Sequence, residues 1–230
     1  MKIAIYDLDR TVTKSGTYTR FLLDAAMSRA RWRILLLPIV MGCALAYKAG
    51  LITRRRLKEI GFRLLIGPSL PRAEMDEIAS IFALKIVRTG VFPGAIDRMN
   101  ADRGEGYEVV LATASPEYYA RIIADHLDIR VVIATRHRIG ANGETLSAID
   151  GENCYGMAKR DRVKAWFQSL EKAGGTPRIR FYSDDVSDEP MFDWADEPFI
   201  VNPGPGERAL ARRTGWPILS FAGQGVAPST

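Results

Sequence analysis

Short apolar runs recur along the chain and alternate with segments that have helical periodicity. The runs cover residues 2–6, 107–112, 131–134, 179–183 and 199–201. Buried strands of a parallel sheet are near-continuous apolar runs because helices cover both faces of the sheet. The pattern therefore predicts an α/β fold, a Rossmann-like three-layer parallel sheet whose ligands bind beyond the carboxyl ends of the strands.

Two local signals predict further elements. Ser115-Pro116-Glu117 is typical of a helix start, with Ser115 as the N-cap and Pro116 at the first helical position, and predicts a helix to about Leu127. Asn142-Gly143 lies between two short runs and predicts a β-hairpin. We expect this hairpin to be an antiparallel addition near the edge of the main sheet.

Residues 14–90 show no convincing strand, and their spacing of apolar positions predicts several helices. Within this segment, residues 34–47 carry no charge, and Lys48 is then the only charge before Arg54. A spanning helix needs roughly 20 residues, so the run is short for that role. We interpret it as a buried helix or, alternatively, as an apolar face that inserts into a membrane interface between basic flanks.

Two acidic clusters each follow an apolar strand. Asp7 and Asp9 follow residues 3–6, and Asp184 and Asp188 follow residues 179–183. Taken alone, such acids could simply end a strand or cap a turn. If the two strands are parallel neighbours, however, all four carboxylates meet at one edge of the sheet, and their mutual repulsion calls for a cation. Oxygen ligands without a nearby His or Cys favour Mg²⁺.

Four motifs in this order resemble those of the haloacid dehalogenase superfamily, in its phosphoserine-phosphatase-like branch. They are Asp7-Leu8-Asp9-Arg10-Thr11, Thr113 after an apolar strand, Lys159, and Asp184 with Asp188. The resemblance implies a helical cap inserted after the first motif. It divides the chain into a catalytic core, residues 1–13 and 91–230, and an all-helical cap, residues 14–90.

The resemblance also implies a role for each motif residue. Asp7 would be the nucleophile that forms an aspartyl-phosphate, and Asp9 would be the acid and base. Thr113 and Lys159 would bind the phosphoryl group, with Ala114 and Arg10 as further substrate contacts. The metal residues would be Asp7, Asp9 through its backbone carbonyl, and Asp184, with Asp188 orienting the shell. Without the two acidic motifs, Thr113 could be an ordinary strand residue and Lys159 an ordinary helix residue.

The resemblance implies that the protein is an Mg²⁺-dependent phosphatase, but it does not identify the substrate. Phosphoserine phosphatases of the branch carry a Glu nine residues after the nucleophile, and here that position is Gly16. The basic, apolar cap resembles branch members that act on lipid phosphates such as phosphatidylglycerophosphate. A small soluble phosphomonoester, phosphoserine-like or a sugar phosphate, is the alternative, and a non-catalytic binding protein is a third hypothesis.

Charge and composition limit the classes of binding partner that we expect. Residues 14–90 contain 14 Lys or Arg against 5 Asp or Glu, whereas the whole chain has a net charge of +5. No nucleic-acid-binding motif accompanies this charge, so we expect no nucleic acid as a partner.

Cys43, Cys154, His126 and His137 do not have the spacing of metal ligands, and we interpret both histidines as surface or cap residues. Without a secretory signal, we expect a cytoplasmic protein with peripheral contact at the inner face of the membrane as an option. The sequence predicts no oligomeric state.

Overall fold

A six-stranded parallel sheet forms the centre of the protein in a computed structural model, which describes residues 1–170 and 177–222. The strands of this sheet are β1 (Lys2–Tyr6), β3 (Glu108–Pro116), β4 (Val131–Thr135), β7 (Arg178–Ser183), β8 (Glu197–Val201) and β9 (Ile218–Leu219). Their order across the sheet is β4-β3-β1-β7-β8-β9. The α/β fold class and the five predicted strands are confirmed, and the two-residue β9 was not predicted.

Successive side chains of β1 point alternately into two apolar clusters, one on each face of the sheet. Ile3 and Ile5 pack in one cluster, with Val163 and Phe167 of a helix on that face. Ala4 and Tyr6 point to the opposite cluster. Because a strand has a side-chain period of two, one five-residue run supplies both sides of the core. The core helices are α5 (Pro93–Gly104), α6 (Glu117–His126), α7 (Met157–Leu170), α8 (Glu189–Phe192) and α9 (Pro205–Thr214).

The segment expected to be a cap leaves and re-enters the core at adjacent positions. Thr13 and Val91 form an antiparallel bridge, and the Phe92 amide donates to the Val12 carbonyl at 2.9 Å. Between them lie helices α1 (Tyr18–Arg29), α2 (Leu37–Lys48), α3 (Arg54–Leu65) and α4 (Arg72–Thr89), with a 3-10 turn over Arg31–Leu36. Among the described residues, no helix combines the length and the apolar character needed to cross a bilayer.

Two predictions about the small strands were wrong. The segment contains a strand, β2 (Ser69–Leu70), which pairs antiparallel with β6 (Thr145–Ile149). The predicted hairpin does form between β5 (His137–Ile139) and β6. It lies in a separate three-stranded sheet with β2, however, and not at the edge of the main sheet. A strand of two residues is too short to show an alternation of apolar and polar side chains, so the local sequence did not predict β2 or its pairing.

The interpretation of residues 34–47 as a buried helix was also wrong. No residue of α2, all of which are described, is buried. Ile34, Leu37 and Val40 are half-buried and pack on a large apolar cluster, while other apolar side chains of the run face solvent. The run is apolar on all sides, so its sequence gave no sign of which side would be covered.

Candidate active site

The strand order brings the distant motif residues to one edge of the sheet. β1 pairs in parallel with β3 on one side and with β7 on the other. Asp7 follows β1, Thr113 lies near the carboxyl end of β3, and Asp184 follows β7. The chain runs from β1 to one side of the sheet and later returns to the other, so this edge is a topological switch point, where α/β proteins bind ligands.

A tight turn after β1 places Asp7 and Asp9 in one pocket. The turn spans Leu8–Val12, and the Thr13 amide closes it by donating to the Leu8 carbonyl at 2.8 Å. Within it, Arg10 adopts a left-handed backbone conformation with φ of 59°. This conformation costs about 1 kcal/mol or more for a residue with a side chain. The Asn202 side-chain amide supports it by donating to the Arg10 carbonyl at 3.1 Å.

Lys159 lies between two buried carboxylates. Its Nζ donates to Asp7 Oδ1 at 2.8 Å and to Asp188 Oδ2 at 2.6 Å. Burial opposes the charge of Lys159, but the negative charges of Asp188 and Asp7 outweigh it and raise the pKa of the ammonium group. Burial raises the pKa of Asp7 to about 8, with Lys159 acting in the opposite direction and Asp188 adding to the rise. A cation is thus fixed beside the carboxylate expected to be the nucleophile.

Thr11 holds the carboxylate that follows β7. Its hydroxyl donates to Asp184 Oδ1 at 3.1 Å and accepts the Asp184 amide at 2.9 Å. Burial raises the pKa of Asp184 to about 7, the hydrogen bond from Thr11 acting against that rise. The threonine of the first motif therefore connects the two acidic clusters directly.

The carboxylate of Asp9 is held by hydroxyl and amide donors. Asp9 Oδ1 accepts hydrogen bonds from the Thr17 amide at 2.7 Å and from the Thr17 hydroxyl at 2.6 Å, and Oδ2 accepts one from the Ser115 hydroxyl at 2.9 Å.

The prediction that Ser115 is the N-cap of α6 was wrong. Pro116 occupies the cap position, β3 extends to Pro116, and Glu117 begins the helix. The Ser115 side chain is used at the site because it lies beside Asp9, one residue before β3 ends.

Thr113 and Ala114 form the β3 wall of the pocket. The buried Thr113 hydroxyl accepts the Ser115 amide at 3.0 Å. The Ala114 carbonyl accepts the ammonium group of Lys58, on α3, at 2.6 Å and the Thr135 hydroxyl at 2.8 Å. Thr113 and Ala114 both line the pocket, and the carbonyl of Ala114 is already engaged in joining α3 to β3.

The pocket has a volume of about 170 Å³ and brings together residues from both parts of the chain. Its lining includes the six residues Asp7, Asp9, Arg10, Thr113, Ala114 and Lys159, together with Asp184 and Asp188. Arg54, the first residue of α3, also lines it, stacked 3.8 Å from the Tyr155 ring centroid and 3.8 Å from Asp185 Oδ2. Gly16 lines the pocket as well and offers no side chain to a ligand.

The residues present fit a small divalent cation that keeps several water ligands. No three acidic, thiol or imidazole side chains among the described residues form a metal cage by themselves. The ligand set expected from the resemblance contains only the carboxylates of Asp7 and Asp184 plus a backbone carbonyl, and Mg²⁺ favours few protein ligands and several waters. In addition, Asp188 Oδ1 is buried with no partner in the described part of the chain, as expected for an oxygen that holds a water molecule.

Comparisons with known proteins decide the family. A family model for haloacid dehalogenase-like hydrolases matches residues 4–193. A protein of unknown function from Bordetella pertussis shares the fold with a TM-score of 0.83 at 24% identity, over 96% of this chain and 98% of its own. A phosphoserine phosphatase solved as a phospho-aspartyl intermediate analogue gives a TM-score of 0.63 at 15% identity, over 97% and 94%. The chain belongs to the haloacid dehalogenase-like hydrolases.

Some relatives of this hydrolase carry functional names, of which two follow. A probable phosphatase of Mycobacterium tuberculosis is 33% identical over 65% of this chain, and the chain spans about half of that protein's length, 51%. A histidinol-phosphatase of Neisseria meningitidis is 23% identical over 95% of this chain and 98% of its own length. The resemblance stated from the motifs is thereby confirmed at the level of family and fold.

Several residues of the hydrolase's site were missed by the sequence analysis. Thr11 belongs to the first motif, and its position there indicated a residue of the site. Its hydrogen bond to Asp184 was not predicted. Thr17 and Ser115, which hold Asp9, and Arg54 and Tyr155, which wall the pocket, gave no pattern. These four lie in separate segments and meet only in the folded chain.

Proposed function

We propose that this hydrolase is an Mg²⁺-dependent phosphomonoesterase that works through an aspartyl-phosphate on Asp7. The observation that carries the proposal is the contact of Lys159 with Asp7 and Asp188 in a pocket that Thr113 also lines. A fixed cation, a hydroxyl donor and an adjacent carboxylate are the positioning and electrostatic parts that phosphoryl transfer requires.

In the proposed first step, an Asp7 oxygen attacks phosphorus and forms an acyl phosphate while the bond to the leaving alkoxide breaks. Asp9 gives its proton to that alkoxide, which departs as the alcohol. In the second step, Asp9 accepts a proton from water as the water oxygen attacks phosphorus, and Asp7 is released with inorganic phosphate. The hydroxyls of Thr17 and Ser115 contact the Asp9 side chain and would position it for both proton transfers.

Mg²⁺ would be held by Asp7, the backbone carbonyl of Asp9 and Asp184, with Asp188 holding the surrounding water. It would supply positive charge that offsets the carboxylates and the phosphoryl oxygens. Lys159 supplies a second, permanent positive charge from the protein itself. Burial excludes bulk water from this ammonium group, which is only 1% exposed, so its attraction for a phosphoryl oxygen is weakly screened.

Replacing Asp7 tests the covalent route. The Asp7→Asn variant should lose Mg²⁺-dependent phosphate release from p-nitrophenyl phosphate by a factor of at least about 10³, because an amide is not a nucleophile towards phosphorus. Acid-quenched wild-type enzyme should carry one phosphoryl group on the peptide that contains Asp7. Asp161→Asn, an exposed acid two residues from Lys159, is the matched control and should keep wild-type turnover. Undiminished turnover by Asp7→Asn would refute the proposal, and absence of turnover in wild type would favour a binding protein.

For the substrate, we propose an ester that carries a second negative charge. The guanidinium group of Arg54 lines the pocket, 3.8 Å from Asp185, and would attract such a charge. Gly16 provides no carboxylate for the ammonium group of phosphoserine, and nothing lies within 4 Å of the place where its Cβ would be. Lipid phosphates such as phosphatidylglycerophosphate meet this description, and the exposed apolar side of α2 favours them.

A small soluble phosphomonoester is the second candidate, favoured by the similarity to a histidinol-phosphatase along nearly the whole chain. A phosphate-release panel separates the two. It would compare phosphatidylglycerophosphate and lysophosphatidate in vesicles with histidinol phosphate, phosphoserine and sugar phosphates in solution. Preference for a soluble ester, with no effect of added vesicles, would refute the lipid proposal and leave the chemistry of Asp7 intact.

A further inference from the structure

The 3-10 turn and α2 expose an unusual amount of apolar side chain. Five of their large apolar residues are more than half exposed. These are Trp32 (60%), Leu35 (79%), Ile39 (53%), Met41 (67%) and Leu45 (67%). Leu51, in the loop after α2, is 77% exposed. Single exposed apolar residues are ordinary on a protein surface, whereas a group this large on one short segment marks an interaction surface.

These side chains lie along one side of the segment. Leu35 and Ile39 are four residues apart, as are Met41 and Leu45, so each pair is neighbouring on the helix surface. The opposite side is already used, because Ile34, Leu37 and Val40 pack on the large apolar cluster. The exposed side is therefore a second apolar face, which the fold of this chain leaves uncovered.

The charged residues along this segment of the chain all have the same sign. From residue 25 to residue 58 the chain contains eight Lys or Arg and no Asp or Glu. Several of these bases are engaged within the protein: Arg29 pairs with Glu74, and Arg33 donates to the Leu64 carbonyl. Arg31 and Lys48, at the two ends of the turn and helix, are exposed and have no carboxylate partner in residues 1–170 and 177–222. Lys48 also continues the row of Met41 and Leu45, three residues beyond Leu45.

We propose that the docking face, defined as Trp32, Leu35, Ile39, Met41 and Leu45 with Arg31 and Lys48, binds peripherally to an anionic phospholipid surface. Apolar side chains enter the interface of the bilayer while Arg and Lys at the edges reach the lipid phosphates. Each base near such a surface adds to the attraction. The proposal concerns binding and stands apart from the chemistry at Asp7.

The same features argue against the other occupants of an apolar face. A second copy packed face to face would bring two acid-free basic segments together, and their like charges would repel. By itself α2, with 12 residues, spans about 18 Å, against about 30 Å of hydrocarbon, so contact with the membrane surface suits it better than passage through the bilayer. An anionic lipid surface satisfies both the apolar side chains and the positive charges.

Docking in this way would also orient the pocket. The chain passes from α2 through residues 49–53 into α3, and the first residue of α3, Arg54, lines the catalytic pocket. The face and the pocket are thus joined by one short connection. A protein bound through α2 would keep Arg54, at the wall of the pocket, within one short loop of the docked helix.

Vesicle sedimentation tests the proposal with the full chain. Wild type should sediment with vesicles of phosphatidylcholine and phosphatidylglycerol, and far less with phosphatidylcholine alone. The double variant Leu35→Gln/Leu45→Gln should bind the anionic vesicles at least about tenfold more weakly, because two large apolar contacts are lost. Arg31→Gln/Lys48→Gln should weaken binding by about tenfold or more and reduce its dependence on salt.

The matched control is Ile81→Gln/Ile139→Gln, which replaces two apolar residues that are 63% and 65% exposed away from α2 and should bind as wild type does. Melting curves and p-nitrophenyl phosphate turnover show whether each variant is folded, since neither Leu35 nor Leu45 belongs to the active site. Brominated phospholipid should quench the fluorescence of Trp32. The Trp32→Phe variant should lose that quenching and still sediment.

Three results would overturn the proposal. Wild type that stays in the supernatant with anionic vesicles has no lipid-binding face, and equal sedimentation of the Leu35→Gln/Leu45→Gln variant places binding elsewhere. Dimerisation in analytical ultracentrifugation that this variant abolishes, without vesicle binding, would assign the face to a second copy of the chain.

Discussion

At the scale of residues, Lys159 is the most constrained group of the site. It is 1% exposed and lies between two carboxylates, Asp7 and Asp188, of which the second also accepts the Ser183 hydroxyl at 2.7 Å. A buried ion pair contributes little net stability, but removal of one partner leaves an uncompensated charge. The ammonium group is therefore required by its neighbours as well as by the proposed reaction.

Replacement of Lys159 should damage stability and turnover together. Lys159→Gln should lower the free energy of unfolding by about 3 kcal/mol, because Asp7 and Asp188 lose their shared counter-charge. It should also reduce phosphate release by at least about 100-fold, as expected when a donor to developing negative charge is removed. Urea denaturation and a p-nitrophenyl phosphate assay measure the two effects.

The control for this prediction lies on the same helix. Lys164→Gln changes a half-exposed lysine of α7 that stacks on Trp194 and has no contact with the site. It should leave turnover unchanged. Wild-type turnover in a folded Lys159→Gln variant would contradict the role assigned to the ammonium group.

At the scale of elements, a buried acid joins the two strands that precede Asp7 and Asp184. Asp102, at the end of α5, is fully buried and accepts hydrogen bonds from Tyr6 of β1 at 2.5 Å and from Tyr182 of β7 at 3.3 Å. Arg180 completes the cluster with a contact of 2.7 Å. The Tyr6 and Tyr182 rings stack with centroids 4.3 Å apart, one residue before Asp7 and two before Asp184.

Loss of this acid should loosen both strands. Asp102→Asn keeps the shape of the side chain but removes the charge that Arg180 and Arg98 face, and we expect the free energy of unfolding to fall by about 3 kcal/mol. Asp97→Asn, an exposed acid on the same helix, should change it by less than about 0.5 kcal/mol. Equal denaturation midpoints for the two variants would show that the buried cluster does not stabilise the fold.

The elements also show where a local pattern stops being informative. The apolar runs predicted the five main strands because both faces of those strands are covered, and burial on both faces is visible as a continuous run. The run at residues 34–47 looks similar in composition, yet it forms a helix with one face in solvent. Apolar character predicts that a surface will be covered, and it does not identify what covers it.

At the scale of the whole molecule, α3 joins residues 14–90 to the rest of the fold. Lys58 donates to the Ala114 carbonyl and, at 2.7 Å, to Asn153 Oδ1, and Glu59 accepts the Ile149 amide at 3.0 Å. His137 lies beside this contact, buried against the rings of Phe62 and Tyr118. Its assignment to the cap or the surface was wrong, because β5 belongs to the small sheet that packs beneath α3.

The burial of His137 makes stability depend on pH. Burial lowers the pKa of His137 to about 4, so the folded state holds the ring neutral where the unfolded chain already binds a proton. Stability should therefore fall as pH is lowered from about 6.5 towards 4, by up to about 3 kcal/mol from this group. Below that range the contribution is constant, because both states are protonated.

Denaturation at a series of pH values checks this prediction. His137→Asn should show a shallower loss of stability between pH about 6.5 and 4, since asparagine does not titrate and can still donate to the Leu146 carbonyl, as Nδ1 does at 2.9 Å. The chain has two histidines, and the exposed His126 provides the control. His126→Asn should follow the wild-type curve. The same slope in His137→Asn and wild type would contradict the assignment.

The sequence by itself determined the strands, their order along the chain, and the identity of the acids, threonine and lysine that line the pocket. Periodicity and strand-end chemistry are local, so they can be read within a few residues of each position. Tertiary structure alone decided that Thr17 and Ser115 hold Asp9, that Arg54 faces the acidic cluster, and that α2 leaves an apolar side in solvent. These contacts join segments far apart along the chain, and their energies depend on which surfaces meet, which no local pattern encodes.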